Sequence, residues 1–181
     1  PDAKVMAICD LDHNKAQKAA NAFGINTIYT DVETMLKQED LDGVVVATYH
    51  ASHYPVAKAC LECGLHIFIE KPMTLYAREA SHLVKIAQEK QVQISMGYNH
   101  NHTPYVKRAR AVVTAGDLGE IQYITGQFSQ GNLPLLSGVD LQQDNLVNTP
   151  GDVYSDPIRS GGGHGHLQIT HLAGMLFFIT N

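Results

Sequence analysis

The sequence predicts an α/β protein: a doubly wound parallel sheet, followed by the start of an α+β domain with a large open sheet. Three observations carry this. Apolar runs at residues 4–9, 43–48, 66–69 and 92–97 alternate with stretches of helical spacing, the pattern of strand–helix–strand units. The runs at 43–48 and 66–69 are almost continuously apolar, as strands covered on both faces are. The alternation stops near residue 97, and a longer strand candidate, residues 120–130 (EIQYITGQFSQ), follows.

The elements follow in order. Residues 4–9 (KVMAIC) read as a strand ending at Asp10. Ala16, Ala19, Ala20 and Phe23 give residues 12–23 helical spacing, and Gly24 is a natural residue to end that helix. Thr30-Asp31-Val32-Glu33 reads as a capping box opening a helix to about Gln38. Residues 41–43 turn into the next strand, 43–48, and a helix over 52–63 ends at Gly64. After the strand 66–69, Thr74 is expected to cap a helix reaching about Glu89. A short strand, 92–97, precedes a helix that starts at Thr103-Pro104 with proline in its first position and closes near Gly116. Residues 131–163 are rich in Gly, Pro, Asn, Asp and Ser; a loop that long is a lid, a binding loop or disordered. Residues 167–180 read as an apolar helix. The domain division this implies is 1–118 and 119–181.

Composition excludes some classes. The chain has 181 residues, with 44% hydrophobic and 17% charged, an ordinary soluble make-up. A net charge of -5 gives no reason to expect nucleic acid or an anionic membrane as partner. No apolar run reaches the roughly 18 residues of a membrane-spanning helix. Three cysteines, an odd number, argue against a secreted disulfide framework and suit a reducing cytoplasm.

The most informative motif is Glu70-Lys71-Pro72, at the C-terminal end of the strand 66–69. That end is where open α/β sheets bind ligands. Residues 43–73 (GVVVATYHASHYPVAKACLECGLHIFIEKPM) resemble the nucleotide domain of the Gfo/Idh/MocA oxidoreductases, the family of glucose-fructose oxidoreductase and inositol dehydrogenase, whose hallmark is a strand ending in Glu-Lys-Pro. The resemblance implies a Rossmann-type sheet with its first strand, glycine-rich turn and first helix absent from this sequence, and a second domain that is only begun. An exposed sheet edge or a cavity is expected where the absent strand would sit.

The resemblance also implies site residues. Asp10, ending a strand where the adenosine ribose lies, would accept hydrogen bonds from the ribose hydroxyls and repel the 2′-phosphate of NADP, which favours NAD; the alternative is a turn or cap aspartate. Thr48 and His53 match a family loop that covers the cofactor's pyrophosphate and ribose, while Tyr49 and His50 depart from its usual Thr-Pro-Asn; taken alone, His53 reads as a packed or capping histidine rather than a ligand. Lys71 would lie near the nicotinamide and the reacting hydroxyl, stabilising developing alkoxide character. Glu70 would place Lys71 and contact the nicotinamide-side ribose, and the Lys-Pro bond is often cis in the family. Asn99, after Gly97-Tyr98, would lie near the nicotinamide; His100-Asn101-His102 then departs from the family's Arg-Arg-Phe.

Gly161-Gly162-Gly163 opens a segment in which relatives carry an aspartate and, four residues later, a histidine. His171 matches the histidine and is the candidate acid or base. The aspartate position holds Leu167, with His166 and Gln168 as substitute polar contacts for substrate.

Two distractions are weighed. His164, His166 and His171 suggest zinc, but His166 and His171 diverge on a helix and no carboxylate completes a set. Cys60 and Cys63 have redox-pair spacing, but at a helix C-terminus, so two buried helix cysteines are the better reading.

The expected activity is therefore hydride transfer between a sugar, cyclitol or polyol carbinol and NAD, by a homo-oligomer. A glycosidase or lyase that retains NAD and oxidises its substrate transiently is a second hypothesis, and a non-catalytic dinucleotide sensor a third.

Overall fold

In the computed structural model, residues 3–129, 153–163 and 165–181 are described. Among the described residues five short strands alternate with helices, four within the expected apolar runs and β2 outside them: β1 (Ala7–Cys9), α1 (His13–Phe23), β2 (Thr27–Tyr29), α2 (Val32–Gln38), β3 (Gly43–Val46), α3 (His50–Glu62), β4 (His66–Ile69), α4 (Ala77–Lys90) and β5 (Ile94–Met96). A 3₁₀ turn, Asn99–His102, leads into α5 (Pro104–Thr114). After the undescribed stretch come α6 (Pro157–Ser160), a π turn (Gly165–Ile169) and α7 (Thr170–Thr180).

All pairing is parallel, in two sheets: β1 with β2, and β3–β4–β5. Among the described residues β1 has a single ladder neighbour and β3 likewise, so the sheet is interrupted between them. Val45, in an apolar strand, is 69% exposed. The core lies between the three-stranded sheet and α3 and α4: Val46, Ala57, Cys60, Leu61, Ile67, Ile69, Leu83, Ile86 and Ala87. Val46, Ile67 and Ile69 face this core, whereas Val45 and Phe68 on the opposite face are exposed, so among the described residues these apolar strands are covered on one face and not on both as the runs lead one to expect.

The caps follow side-chain chemistry, with corrections. Asp12 caps α1, accepting from the Asn14 and Lys15 N–H groups, and Gly24 closes the helix in the left-handed region at φ 67°. Asp31, not Thr30, caps α2, because its carboxylate accepts both the N–H and the hydroxyl of Thr34. Thr74 does not cap α4; its hydroxyl donates to the Tyr76 carbonyl, and the helix begins at Ala77. α3 starts at His50, two residues earlier than expected.

Two larger corrections concern residues 119–181. Residues 120–129 form no strand: among the described residues their backbone has no ladder partner, and a strand exists only through such pairing. They pack on α7 instead; a Cβ at Gly126 would come within 2.8 Å of Leu172. Gln130 and most of the expected long loop lie outside the described residues. The expected single helix over 167–180 is a π turn followed by α7, entered through Gly161, Gly162 and Gly163 at positive φ.

Candidate functional site

Register brings the strand ends together. The Glu70 N–H donates to the Val46 carbonyl and the Gly97 N–H to the Ile69 carbonyl, so the loops after β3, β4 and β5 leave one edge side by side. Thr48, Glu70-Lys71 and Gly97-Asn99 all sit there. Gly97 has a physical requirement: a Cβ would lie 2.8 Å from a Glu70 carboxylate oxygen. The absence of a side chain lets that carboxylate lie against the β5 terminus. The Lys71-Pro72 bond is cis.

The half-buried Lys71 extends from this edge, and its ammonium donates to the Leu167 carbonyl at 3.2 Å. Burial holds its pKa below the usual lysine value, with Glu70 opposing. His171 stands close enough to feel that charge. Its ring is stacked on Phe128 (centroids 5.9 Å, planes 18° apart) and meets His100 edge-on at 4.9 Å. Burial, then Lys71 and His100, lower its pKa to about 4. An imidazole so placed is neutral at physiological pH and available as a proton acceptor. Its buried Nδ1 has no hydrogen-bond partner among the described residues, and neither does Oε1 of Gln168, itself only 6% exposed.

The histidines of the expected cofactor loop lie beneath this edge. His50, at the start of α3, is 4% exposed; its Nδ1 is 2.7 Å from the Ser160 carbonyl oxygen, and its ring meets Tyr154 edge-on. Burial lowers its pKa to about 4, against the raising effect of the Ser160 bond; weaker lowering comes from His53, Lys71 and His166. His53 is fully buried and points inward, to the backbone. His166 lies against Gly161, whose hypothetical Cβ would fall 2.8 Å from its ring. Thr48 is exposed and its hydroxyl accepts from Ser52. Asn99 is exposed at the start of the 3₁₀ turn.

Asp10 stands apart, at the end of β1 in the other sheet. It is exposed, and one carboxylate oxygen accepts the Asp12 N–H. No bond or contact ties it to the Lys71 group; its link to the site would be a ligand long enough to span both sheets. Leu167 is buried, so its side chain offers the site no polar group.

Sequence reasoning missed four contributors. Phe128 and His100 fix the His171 ring, Tyr154 covers His50, and the Leu167 main chain holds Lys71. His100 was visible only as a departure from a motif, and nothing in the sequence marks a backbone carbonyl as a lysine acceptor.

The cysteines need a partial correction. Cys60 is buried and its thiol is pushed up to about 12 by desolvation, whereas Cys63, at the end of α3, is exposed. No group of three or more metal-ligating side chains gathers among the described residues, and His164 lies outside them. No described helix is long and apolar enough to cross a membrane.

A dinucleotide fits what is present. The strand-end edge carries exposed polar groups, and α3 begins at His50 with no side-chain cap from Tyr49; although the Ser52 N–H donates to the Tyr49 carbonyl, the helix N-terminus still offers a positive dipole end to an anion. The buried, unpartnered atoms of Gln168 and His171 call for polar ligand atoms.

Comparison with known proteins agrees. The family model GFO_IDH_MocA, described as oxidoreductase family, NAD-binding Rossmann fold, matches residues 1–98. D-xylose 1-dehydrogenase (NADP(+)) 2 of Haloferax volcanii is 28% identical over 156 residues, covering 86% of this chain and 43% of that protein. Among solved structures, myo-inositol 2-dehydrogenase of Lactobacillus plantarum is 27% identical with a TM-score of 0.60, over 66% of this chain and 35% of that one. An oxidoreductase domain protein of Kribbella flavida shares the fold at a TM-score of 0.81 and 24% identity, over 98% of this chain and 45% of that one. The chain spans between about a third and under half of the length of the first curated relatives it matches.

Proposed function

Because the chain belongs to the Gfo/Idh/MocA oxidoreductase family, with its NAD-binding Rossmann fold, we propose that it oxidises a carbinol of a sugar, cyclitol or polyol with NAD. The observation that carries this reading is the pairing at one sheet edge of a half-buried ammonium, Lys71, with a neutral imidazole, His171. An alcohol oxidation needs both: a base for the hydroxyl proton and a cation for the oxygen as it gains negative charge.

His171 takes the hydroxyl proton while Lys71 donates a hydrogen bond to the same oxygen. The carbinol C–H bond breaks and its electron pair leaves with the hydrogen as hydride, giving a carbonyl. When bound, the nicotinamide supplies the hydride acceptor. Glu70, held against Gly97, and Asn99 line the nicotinamide side; Thr48 and the start of α3 hold the pyrophosphate, and Asp10 the adenosine ribose. Gln168 and His166 contact substrate hydroxyls. Asp10 favours NAD, since a carboxylate there repels a 2′-phosphate. Residues 1–118 form the cofactor domain and 119–181 begin the substrate domain.

NADH formation from NAD and a panel of myo-inositol, scyllo-inositol, D-xylose and D-glucose tests the reading. It predicts net NADH with at least one of them. Tightly retained NAD with substrate cleavage and no net NADH would replace it by the elimination chemistry. NAD binding with no turnover on polyols would replace it by a sensor.

A further inference from the structure

We infer that His53 is a positioning residue that clamps the two ligand-edge loops to each other and so aims Lys71. Its ring is fully buried in the first part of α3. Nδ1 lies 2.7 Å from the carbonyl oxygen of Pro72, the residue directly after Lys71. Nε2 lies 3.0 Å from the carbonyl oxygen of Thr48, in the loop after β3. One imidazole thus joins α3 to the ends of two adjacent strands.

Both nitrogens are engaged inside the protein, so the ring has none left for a bound ligand. This separates His53 from the ligand role that the loop's resemblance implies. A buried polar ring persists where its nitrogens find partners, and each carbonyl likewise requires a donor. A ring with one proton can donate to only one of the two oxygens; a ring with a proton on each nitrogen donates to both. The Pro72 carbonyl is one peptide beyond Lys71, so holding it fixes the stem from which Lys71 reaches the Leu167 carbonyl. The clamp itself stands on these bonds alone; that aiming Lys71 serves catalysis rests on the proposed function.

The test uses readouts that need no turnover. The chain is labelled with ¹⁵N-histidine, and its lysines are reductively ¹³C-methylated; Lys71 is assigned by its missing signal in Lys71→Met and His53 by its missing signal in His53→Gln. The wild type is expected to show a His53 ring N–H that is hydrogen-bonded and protected from solvent exchange, and a Lys71 midpoint below the other lysines. In His53→Leu the Lys71 midpoint rises to that of the other lysines. In His53→Gln, whose amide can still donate to Pro72, it returns most of the way to the wild-type value. A folded His53→Leu with an unchanged Lys71 midpoint overturns the inference. Where His53→Leu does not fold, the wild-type spectrum decides: a His53 ring whose N–H exchanges freely with solvent overturns the clamp. Failure of the polyol panel leaves these results untouched, and the reverse also holds.

Discussion

The Lys71 ammonium donates to the backbone carbonyl of Leu167, 96 residues further along the chain, at 3.2 Å. At this position relatives are expected to carry a carboxylate. Here the leucine side chain is buried and the main chain supplies the acceptor. A carbonyl can orient an ammonium, but it lacks the full negative charge that would favour imidazolium on His171. The lysine is therefore anchored while the histidine is left without an anionic partner.

The pH dependence of oxidation follows. His171, lowered to about 4, stays neutral and basic well below neutrality. In the wild type, kcat/KM on a polyol should hold from about pH 8 to about pH 5 and fall only near the histidine's own range. Leu167→Asp should move that acid limb toward neutral pH, since a nearby carboxylate stabilises imidazolium. A pH–rate profile of wild type, Leu167→Asp and His171→Ala checks this. If His171→Ala keeps both rate and profile, the base lies elsewhere, with His166 next in line.

Stability should carry the signature of His50. Its folded pKa, about 4, lies below the ordinary imidazole value, so folding favours the neutral form. That contribution is complete above about pH 6.5 and is lost as pH falls toward about 4. Melting temperatures across this window should fall less steeply in His50→Asn than in the wild type. Equal slopes would show that His50 is not the group protonated on acid unfolding.

Gly97→Ala should act through Glu70 rather than through global stability. The added methyl would meet the Glu70 carboxylate at 2.8 Å, and that carboxylate, the far end of a flexible side chain, must shift. The urea midpoint should change little. The same variant should weaken NAD binding if Glu70 lines the nicotinamide side.

Cofactor choice tests Asp10. Replacing Asp10 by Ser and Leu11 by Arg removes repulsion at the ribose 2′ position and adds a phosphate partner. The ratio of kcat/KM for NADP to that for NAD should rise. A wild type that already prefers NADP would contradict the assignment of Asp10.

Much of the strand–helix alternation up to β5 was legible because its signals are local. The strand 66–69 shows its full extent as an apolar run before Glu-Lys-Pro, and Gly24 marks the end of α1. The start of α2 was misplaced by one residue because Thr30 and Asp31 both suit a cap, and only the hydrogen bonds to Thr34 choose between them. The segment 120–129 was misread because β-like composition reports a surface that packs well, whereas a ladder requires a partner. At the site, Glu70, Lys71 and His171 were readable from side-chain identity and order. The Leu167 carbonyl and the Phe128 stack were not, because they arise from approach between distant segments.

The most direct measurement of the central claim is single-turnover NADH formation from NAD and the best polyol, in wild type and Lys71→Met, beside the NAD dissociation constant of each. Lys71 is assigned to the oxygen as it becomes anionic, a contribution made chiefly in the transition state. The account predicts a rate lower by about 10²- to 10³-fold with NAD affinity nearly unchanged. An unchanged single-turnover rate, or a loss confined to NAD affinity, would contradict it.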